Sequence, residues 1–289
     1  MIEAFDTHRS LMFGIAYRML GRVSEAEDVL QEVWLRWQKQ DPAQVRSAKA
    51  WLVSATTRRC IDQLRSARRE REQYYGVWLP EPLMPRDDAD GGQAAELADS
   101  LTVAFMMLLE SLGPEARAVF LLREVFGYDY PEVAGIVGKS EAACRQSVRR
   151  AKAQLQGRPQ TVSEPTELAR RLVEEFLAAV NTGEVEPVLS LLSEDSHLYS
   201  DGGGRVKAAG LPILGADRVS RFMLGVWPRF GALLERRRVD INGAPGLLMS
   251  LDGQVHYAIS FEVARGRIQN IYISCNPEKL RHLARQEAG

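Results

Sequence analysis

The sequence has few cysteines, almost no net charge and no long apolar run, and each shortage removes a class of function. Its 289 residues hold three cysteines, Cys60, Cys144 and Cys275, far apart and in no metal-ligand spacing. An odd, scattered set excludes a disulfide scaffold or a zinc ribbon and fits buried thiols in a reducing compartment. The formal net charge is −1, so the chain as a whole does not announce nucleic acid. No apolar stretch approaches the length that crosses a bilayer. The opening MIEAFDTHRSLMF carries acids and no continuous apolar segment, so no secretory signal is expected. A cytoplasmic protein follows, with no membrane contact, no metal and no cofactor expected. There is no internal repeat and no low-complexity tract outside two linkers. Length suggests about two domains, and 45% hydrophobic with 26% charged residues is ordinary globular composition.

The neutral average conceals blocks. Residues 46–71 hold eight Lys/Arg against Asp62 and Glu70, and residues 139–158 hold six against Glu141. Between them, residues 81–99 hold six acids against Arg86. Two basic blocks separated by an acidic one suggest two polyanion-facing elements, although solvated helix faces give the same pattern.

Periodicity then places elements. Residues 1–75 read as helices. In SEAEDVLQEVWLRWQ, Ser24 and Glu27 predict a capping box. Val29, Leu30, Val33, Trp34 and Trp37 form one stripe, leaving Asp28, Gln31, Glu32 and Arg36 opposite. A third helix, AKAWLVSATTRRCIDQLRSARRERE, turns densely basic towards its end. Three prolines and two glycines in WLPEPLMPRDDADGG read as a linker. Helices resume near Leu97. Pro114 starts one, Gly127 ends it, 130–137 is a short apolar helix, Gly138 allows a turn, and Ser140 caps a final helix to about Leu155. A short helix, a turn and a second helix with a basic outer face is helix-turn-helix geometry. After a second linker, GRPQTVSEPTE, come helices at 168–180 and 187–192, a brief alternation over His197 to Tyr199, and a helix at 216–230 with Phe222, Met223, Val226 and Phe230 on one side. Four strand-like runs follow, turning at Asn242-Gly243, Asp252-Gly253 and Arg265-Gly266, so helices followed by an antiparallel meander predict an α+β domain.

EAEDVLQEVWLRW, AWLVSATTRRCIDQLRSARR and LGPEARAVFLLREVFGYDYPEVAGIVGKSEAACRQSVRRAKAQL together resemble regions two and four of extracytoplasmic-function RNA polymerase sigma factors. WLPEPL, DGGGRV and NPEKL extend the resemblance to the subgroup with a fused SnoaL-like C-terminal domain. The implied fold is two all-α sigma domains followed by an α+β cystatin-like cone. The implied domains are 1–75 (region two), 76–100 (acidic linker), 101–157 (region four), 158–166 (linker) and 167–289 (regulatory domain). The resemblance implies core RNA polymerase, through its β′ clamp helices and β flap, and promoter DNA as partners of a chain that is monomeric when free. Asp28, Gln31 and Glu32 would dock on the clamp helices. Trp51, Arg58, Arg59, Arg65, Arg68, Arg69 and Arg71 would meet the −10 element and its backbone. Ser140, Glu141, Arg145, Gln146 and Arg149 would read the −35 element in the major groove, with Arg150 and Lys152 on phosphates and Cys144 and Val148 in the core.

The C-terminal domain leaves alternatives open. His197, Tyr199, Asp201, Asp240, His256 and Tyr257 could move a proton or line a cone that binds a small ligand. The run Asp201, Gly202, Gly203, Gly204, Arg205 lacks the context of a phosphate loop. It reads either as a tight turn at a strand bend or as an interface that lets another backbone approach. The resemblance implies the interface: the loop at 201–206 would contact the sigma domains or the linker, and a tail at 276–285, beginning Asn276, Pro277, Glu278, Lys279 and Leu280, would help set that contact. The linker residues Trp78, Leu79, Pro80, Glu81 and Pro82 would occupy a basic channel, lie against the C-terminal domain, or form a passive tether. The functions in competition are a sigma factor modulated in cis, a ligand-responsive one-component regulator, and an isomerase-type enzyme fused to a DNA-binding piece.

Overall fold

A computed structural model of the protein describes residues 1–41, 44–72, 74–84, 101–155, 166–231 and 234–286, with the backbone alone for 67–72, 229–231 and 284–286. The side chains of Arg68, Arg69, Arg71 and Phe230, the residue Leu97, and most of both linkers therefore lie outside the described residues. The chain divides into two compact units: Met1–Gln73 with Phe105–Pro159, and Tyr74–Ala104 with Gln160–Gly289.

In the first unit, α1 (Ile2–Leu20), α2 (Val23–Trp37) and α3 (Ala48–Glu72) pack around one apolar core. Met12, Ile15 and Met19 meet Val29, Leu30, Val33 and Trp37, and Leu52, Val53, Cys60 and Ile61 complete the core. The predicted capping box at Ser24 does not form. Helix α2 starts earlier, at Val23, with Arg22 in the cap position and no side-chain cap bond. Val23 is buried, and burying a valine stabilises by about 1.5–3 kcal/mol, more than the ~1 kcal/mol typical of a cap.

The second set of helices is α4 (Val103–Leu109), α5 (Pro114–Phe120), which widens into a π turn over Leu121–Val125, α6 (Tyr130–Val137) and α7 (Glu141–Leu155). Asp129 caps α6, and Glu132 reaches back to the Asp129 amide at 2.9 Å. The Ser140 hydroxyl accepts from the Ala143 amide at 3.2 Å and starts α7. Cys144, Val148, Ala151 and Leu155 bury one stripe of α7, which leaves its other face to solvent.

The second unit carries α8 (Thr166–Thr182), α9 (Val185–Leu191), α10 (Ala216–Gly231), α11 (Pro277–Gln286) and strands β1 (Leu192–Asp201), β2 (Ile213–Leu214), β3 (Glu235–Ile241), β4 (Ala244–Leu251), β5 (Gln254–Ala264) and β6 (Arg267–Ser274). Strand order is β2-β1-β6-β5-β4-β3. The three predicted hairpin turns are present, with Asn242, Asp252 and Arg265 at φ 54°, 50° and 53° before their glycines, as tight right-twisting hairpins require. The sheet is not a pure meander. β1 is ten residues long and runs parallel to β6, and its polar start, Ser193 to Ser196, hid the strand from a periodicity reading. The class remains α+β.

One sheet face packs Phe176, Val188, Met223 and Trp227 from the helices on Leu247, Met249, Phe261, Ile271 and Ile273. Trp227, absent from the predicted α10 stripe, is buried there and donates its indole N–H to Asn181 at 2.7 Å. The other face packs Leu248, Val255 and Ala258 against Leu280 and Leu283 of α11 and Met84. β1 ends at Asp201, and the chain turns at Gly203 (φ 59°) and Gly204 (φ 69°). A Cβ on Gly203 would collide with the Asn276 side-chain amide. Gly203→Ala is therefore expected to destabilise the second unit by about 1–3 kcal/mol. Gly210→Ala, at an ordinary φ in open space, should stay within about 0.5 kcal/mol. Thermal unfolding of the two variants checks the pair.

Candidate nucleic-acid interface and the linker clasp

Within the first unit, the residues expected to meet polymerase and DNA fall on three helices. Asp28 and Gln31 are exposed on α2. Glu32 is not idle: the Arg59 guanidinium of α3 grips it with two bonds, Nε to Oε2 at 2.5 Å and Nη2 to Oε1 at 2.8 Å. The bond from Arg59 holds the Glu32 carboxyl below its usual range. Arg58 donates to the carbonyls of Ile136 (2.8 Å) and Gly135 (2.9 Å) in the last turn of α6, where unpaired carbonyls concentrate negative charge. Arg65 bonds Asp62 and Glu115. Glu115, in the first turn of α5, also bonds Lys139 beside the helix turn. Trp51 packs on the buried Trp37, ring centroids 5.2 Å apart.

On α7, Arg145, Gln146, Arg149 and Arg150 are exposed, as recognition of a groove requires. Arg145 pairs with Glu141 and lies over the Tyr130 ring at 4.8 Å. Lys152 pairs with Glu124 at 2.6 Å. Ser140 serves as the cap described above. Cys144 and Val148 are in the core.

The second unit brings the three remaining segments together on one carboxylate. Asp201, with no exposed surface, accepts from Tyr74 Oη at 2.6 Å, the Leu79 amide at 2.9 Å, the Gly203 amide at 3.0 Å and Lys279 Nζ at 2.7 Å. Lys279 is 2% exposed. Its ammonium also donates to the Leu79 carbonyl and lies 4.5 Å from the Trp78 ring and 4.8 Å from the Tyr74 ring. Asn276 donates to Tyr74 Oη at 3.0 Å and accepts from the Glu278 amide, starting α11. Arg205 pairs with Glu278 at 3.0 Å. Leu79, Pro80, Glu81 and Pro82 are buried, while Pro277 is exposed and Leu280 buried. His282 bonds the Pro82 carbonyl at 2.7 Å. Asn242 bonds Leu83 in both directions, through its backbone amide and its side-chain oxygen, and reaches the Leu101 carbonyl. The segment 74–84 is thus built into the second unit.

Of the proton-transfer candidates, His197 and Tyr199 lie side by side, ring centroids 6.0 Å apart, and the others are dispersed. Alternation along β1 puts Leu198 on the helix side and His197 and Tyr199 on the opposite face, where Tyr199 stacks on Tyr272. Asp240 pairs with Arg170 at 2.6 Å, His256 is exposed, and Tyr257 packs against the helix-side core. Asp201 is committed to the clasp.

Residues 4–70 match the Sigma-70 region 2 family and residues 102–155 match Sigma-70, region 4. Over 96% of its length the chain is 34% identical to the ECF RNA polymerase sigma factor SigJ of Mycobacterium tuberculosis, covering 92% of that protein. The chain belongs to the ECF RNA polymerase sigma factors. Like SigJ, whose crystal structure matches with a TM-score of 0.78 at 31% identity over 97% of this chain and 98% of that one, this ECF factor carries a C-terminal domain after its two sigma regions. The probable ECF factor SigI of the same species is 28% identical over 99% of this chain and 97% of its own.

Sequence reasoning missed Tyr74, Glu115 and Asn242 in this ECF factor, and covered His282 only as part of the 276–285 tail. Tyr74 stands just outside a quoted motif, and Asn242 was read only as a turn residue. Glu115, next to a helix-starting proline, looked like an ordinary first-turn acid.

Two outcomes follow. Lys279→Met strands a buried carboxylate and should cost the second unit about 3–5 kcal/mol, whereas Asp201→Asn with Lys279→Met should cost less than the sum of the singles. Chemical denaturation of the four proteins reads this directly. Lys139 first, then Arg65, hold the Glu115 carboxyl below the usual 4.5. A depressed folded pKa contributes stability that is complete above the unfolded value and lost as pH falls through the folded one. The α3–α5 contact should therefore survive at pH 5 to 6 (~1 unit above the ordinary value) and loosen only below about 4.5. Amide exchange in α3 and α5 across that range checks it.

Proposed function

We propose that the protein is a sigma factor that binds core RNA polymerase and directs promoter-specific transcription initiation, and that its C-terminal domain modulates that activity in cis. The observation that carries this reading is its relation to SigJ over nearly the whole of both chains. In this reading the domains are 1–75, 101–157 and 167–289, joined by linkers at 76–100 and 158–166. Asp28, Gln31 and Glu32 present an acidic face to the β′ clamp helices, where charge complementarity sets orientation and encounter rate. Trp51, Arg58, Arg59, Arg65, Arg68 and Arg69 serve the −10 element. Ser140, Glu141, Arg145, Gln146, Arg149, Arg150 and Lys152 serve the −35 element, with region four on the β flap. The chain works as a monomer in the cytoplasm.

The clasp supports modulation in cis. The segment 74–84 leads out of region two towards region four, and tethering makes even a weak clasp effective without a separate inhibitor. Trp78 through Pro82 with Asp201–Arg205 and Asn276–Leu280 form that regulatory interface. No enzymatic role is proposed: the Asp201 carboxylate is held by four donors, and Asp240, His256 and Tyr257 lie apart from it. The one-component regulator is not favoured, since an acidic face on α2 has no role in operator binding.

Run-off transcription with purified core polymerase tests the proposal. The full chain is expected to start transcription at promoters selected from a random library. Arg145→Ala should weaken −35-dependent initiation by about 1–3 kcal/mol and relax its base preference. Asp28→Ala should lower core affinity by about tenfold. Tight, sequence-specific DNA binding without core and no initiation with it would instead favour the one-component regulator.

A further inference from the structure

Arg59 and Glu32 were assigned to different partners, DNA and polymerase, yet in the free chain they hold each other. The arginine fork meets the carboxylate bidentately, and the same fork fits a phosphate equally well. The pair is partly open to water, with side-chain exposures of 26% for Arg59 and 42% for Glu32. A pair of that kind is exchangeable rather than permanent. Arg36, at 3.9 Å from the same carboxylate, stands ready to keep Glu32 neutralised. The two neighbouring DNA-side arginines are restrained differently: Arg58 by α6 carbonyls and Arg65 by Asp62 and Glu115. Neither of those acceptors lies on the α2 face.

We infer that Glu32 is a switchable counter-ion that withholds Arg59 from DNA until a basic surface of core polymerase takes Glu32. The inference rests on the sigma-factor reading above and adds a coupling to it. A cation from polymerase approaching the Asp28–Glu32 face competes with Arg59 for one carboxylate. The released guanidinium then has a phosphate as its best remaining acceptor. Docking on polymerase and contact with the −10 backbone become linked through a single side chain, and the free chain is kept from spending Arg59 on random DNA. Linkage is reciprocal, so DNA bound to Arg59 raises affinity for core by the same factor.

The test uses the full chain, a labelled random-sequence duplex, and immobilised core polymerase. Glu32→Gln keeps the shape of the side chain and removes its charge. It is expected to raise free-chain affinity for the duplex about 2- to 5-fold. It should also steepen the dependence of log affinity on log salt by about one, the mark of one added phosphate contact. In the Glu32→Gln, Arg59→Gln double variant both gains should vanish. A general loosening of α2 would not track Arg59 in this way. If Glu32→Gln leaves affinity and salt slope unchanged, or if the gains persist without Arg59, the coupling is overturned while wild-type binding to core leaves the sigma reading intact. If the wild-type chain does not bind core at all, the underlying reading fails instead.

Discussion

The structure of the second unit turns on one buried ion pair, Asp201 with Lys279. An ammonium and a carboxylate removed from water lose several kcal/mol each of hydration, which their mutual attraction offsets only if every remaining donor and acceptor is satisfied. Here those partners come from elsewhere in sequence: Tyr74, Trp78 and Leu79 from the segment 74–84, and Gly203 from the glycine turn. The pair is incomplete without the linker. That requirement explains why three motifs far apart in sequence belong to one device, Leu79 lying 122 residues before Asp201 and Lys279 lying 78 after it. It also accounts for the glycines, since the turn must bring an amide onto Asp201 and leave room for Asn276.

The first unit obeys the same electrostatic logic with weaker, more exposed pairs. A helix as basic as α3 needs counter-charge when no nucleic acid is present. It finds carboxylates at Glu32 and Glu115 and the carbonyl end of α6. In the function proposed above, these acceptors hold the same arginines that would meet phosphates. In the ECF factor proposed here, promoter contact is then an exchange of partners rather than the filling of empty valences, and its energetics depend on what releases the internal acceptors.

Much of this was legible from residues alone. The apolar stripe located α2, and Pro114, Ser140 and the three hairpin dipeptides marked element ends, because each acts through local geometry. The strand β1 was not legible beyond His197 to Tyr199, because its first residues are polar and its partner β6 is some seventy residues away. Trp227 escaped because the stripe was read through Val226 and Phe230, whereas the buried series is Val219, Met223 and Trp227. The clasp was half legible. Motif resemblance pointed to Asp201 and Lys279, but no local pattern tells that a lysine is buried, or that Tyr74 and Trp78 wall it in. Likewise, nothing in the sequence predicts that Arg59 folds back onto Glu32, since pairing across two helices depends on their packing.

Amide hydrogen exchange in the linker tests the central claim most directly. The Leu79 amide donates to buried Asp201 and the Leu83 amide to Asn242, so both should exchange only with opening of the second unit, as slowly as the amides of β5 and β6. In Lys279→Met they should exchange far faster than those strands. Leu79 and Leu83 amides that exchange in the wild-type chain at the rate of an unstructured peptide would contradict the account.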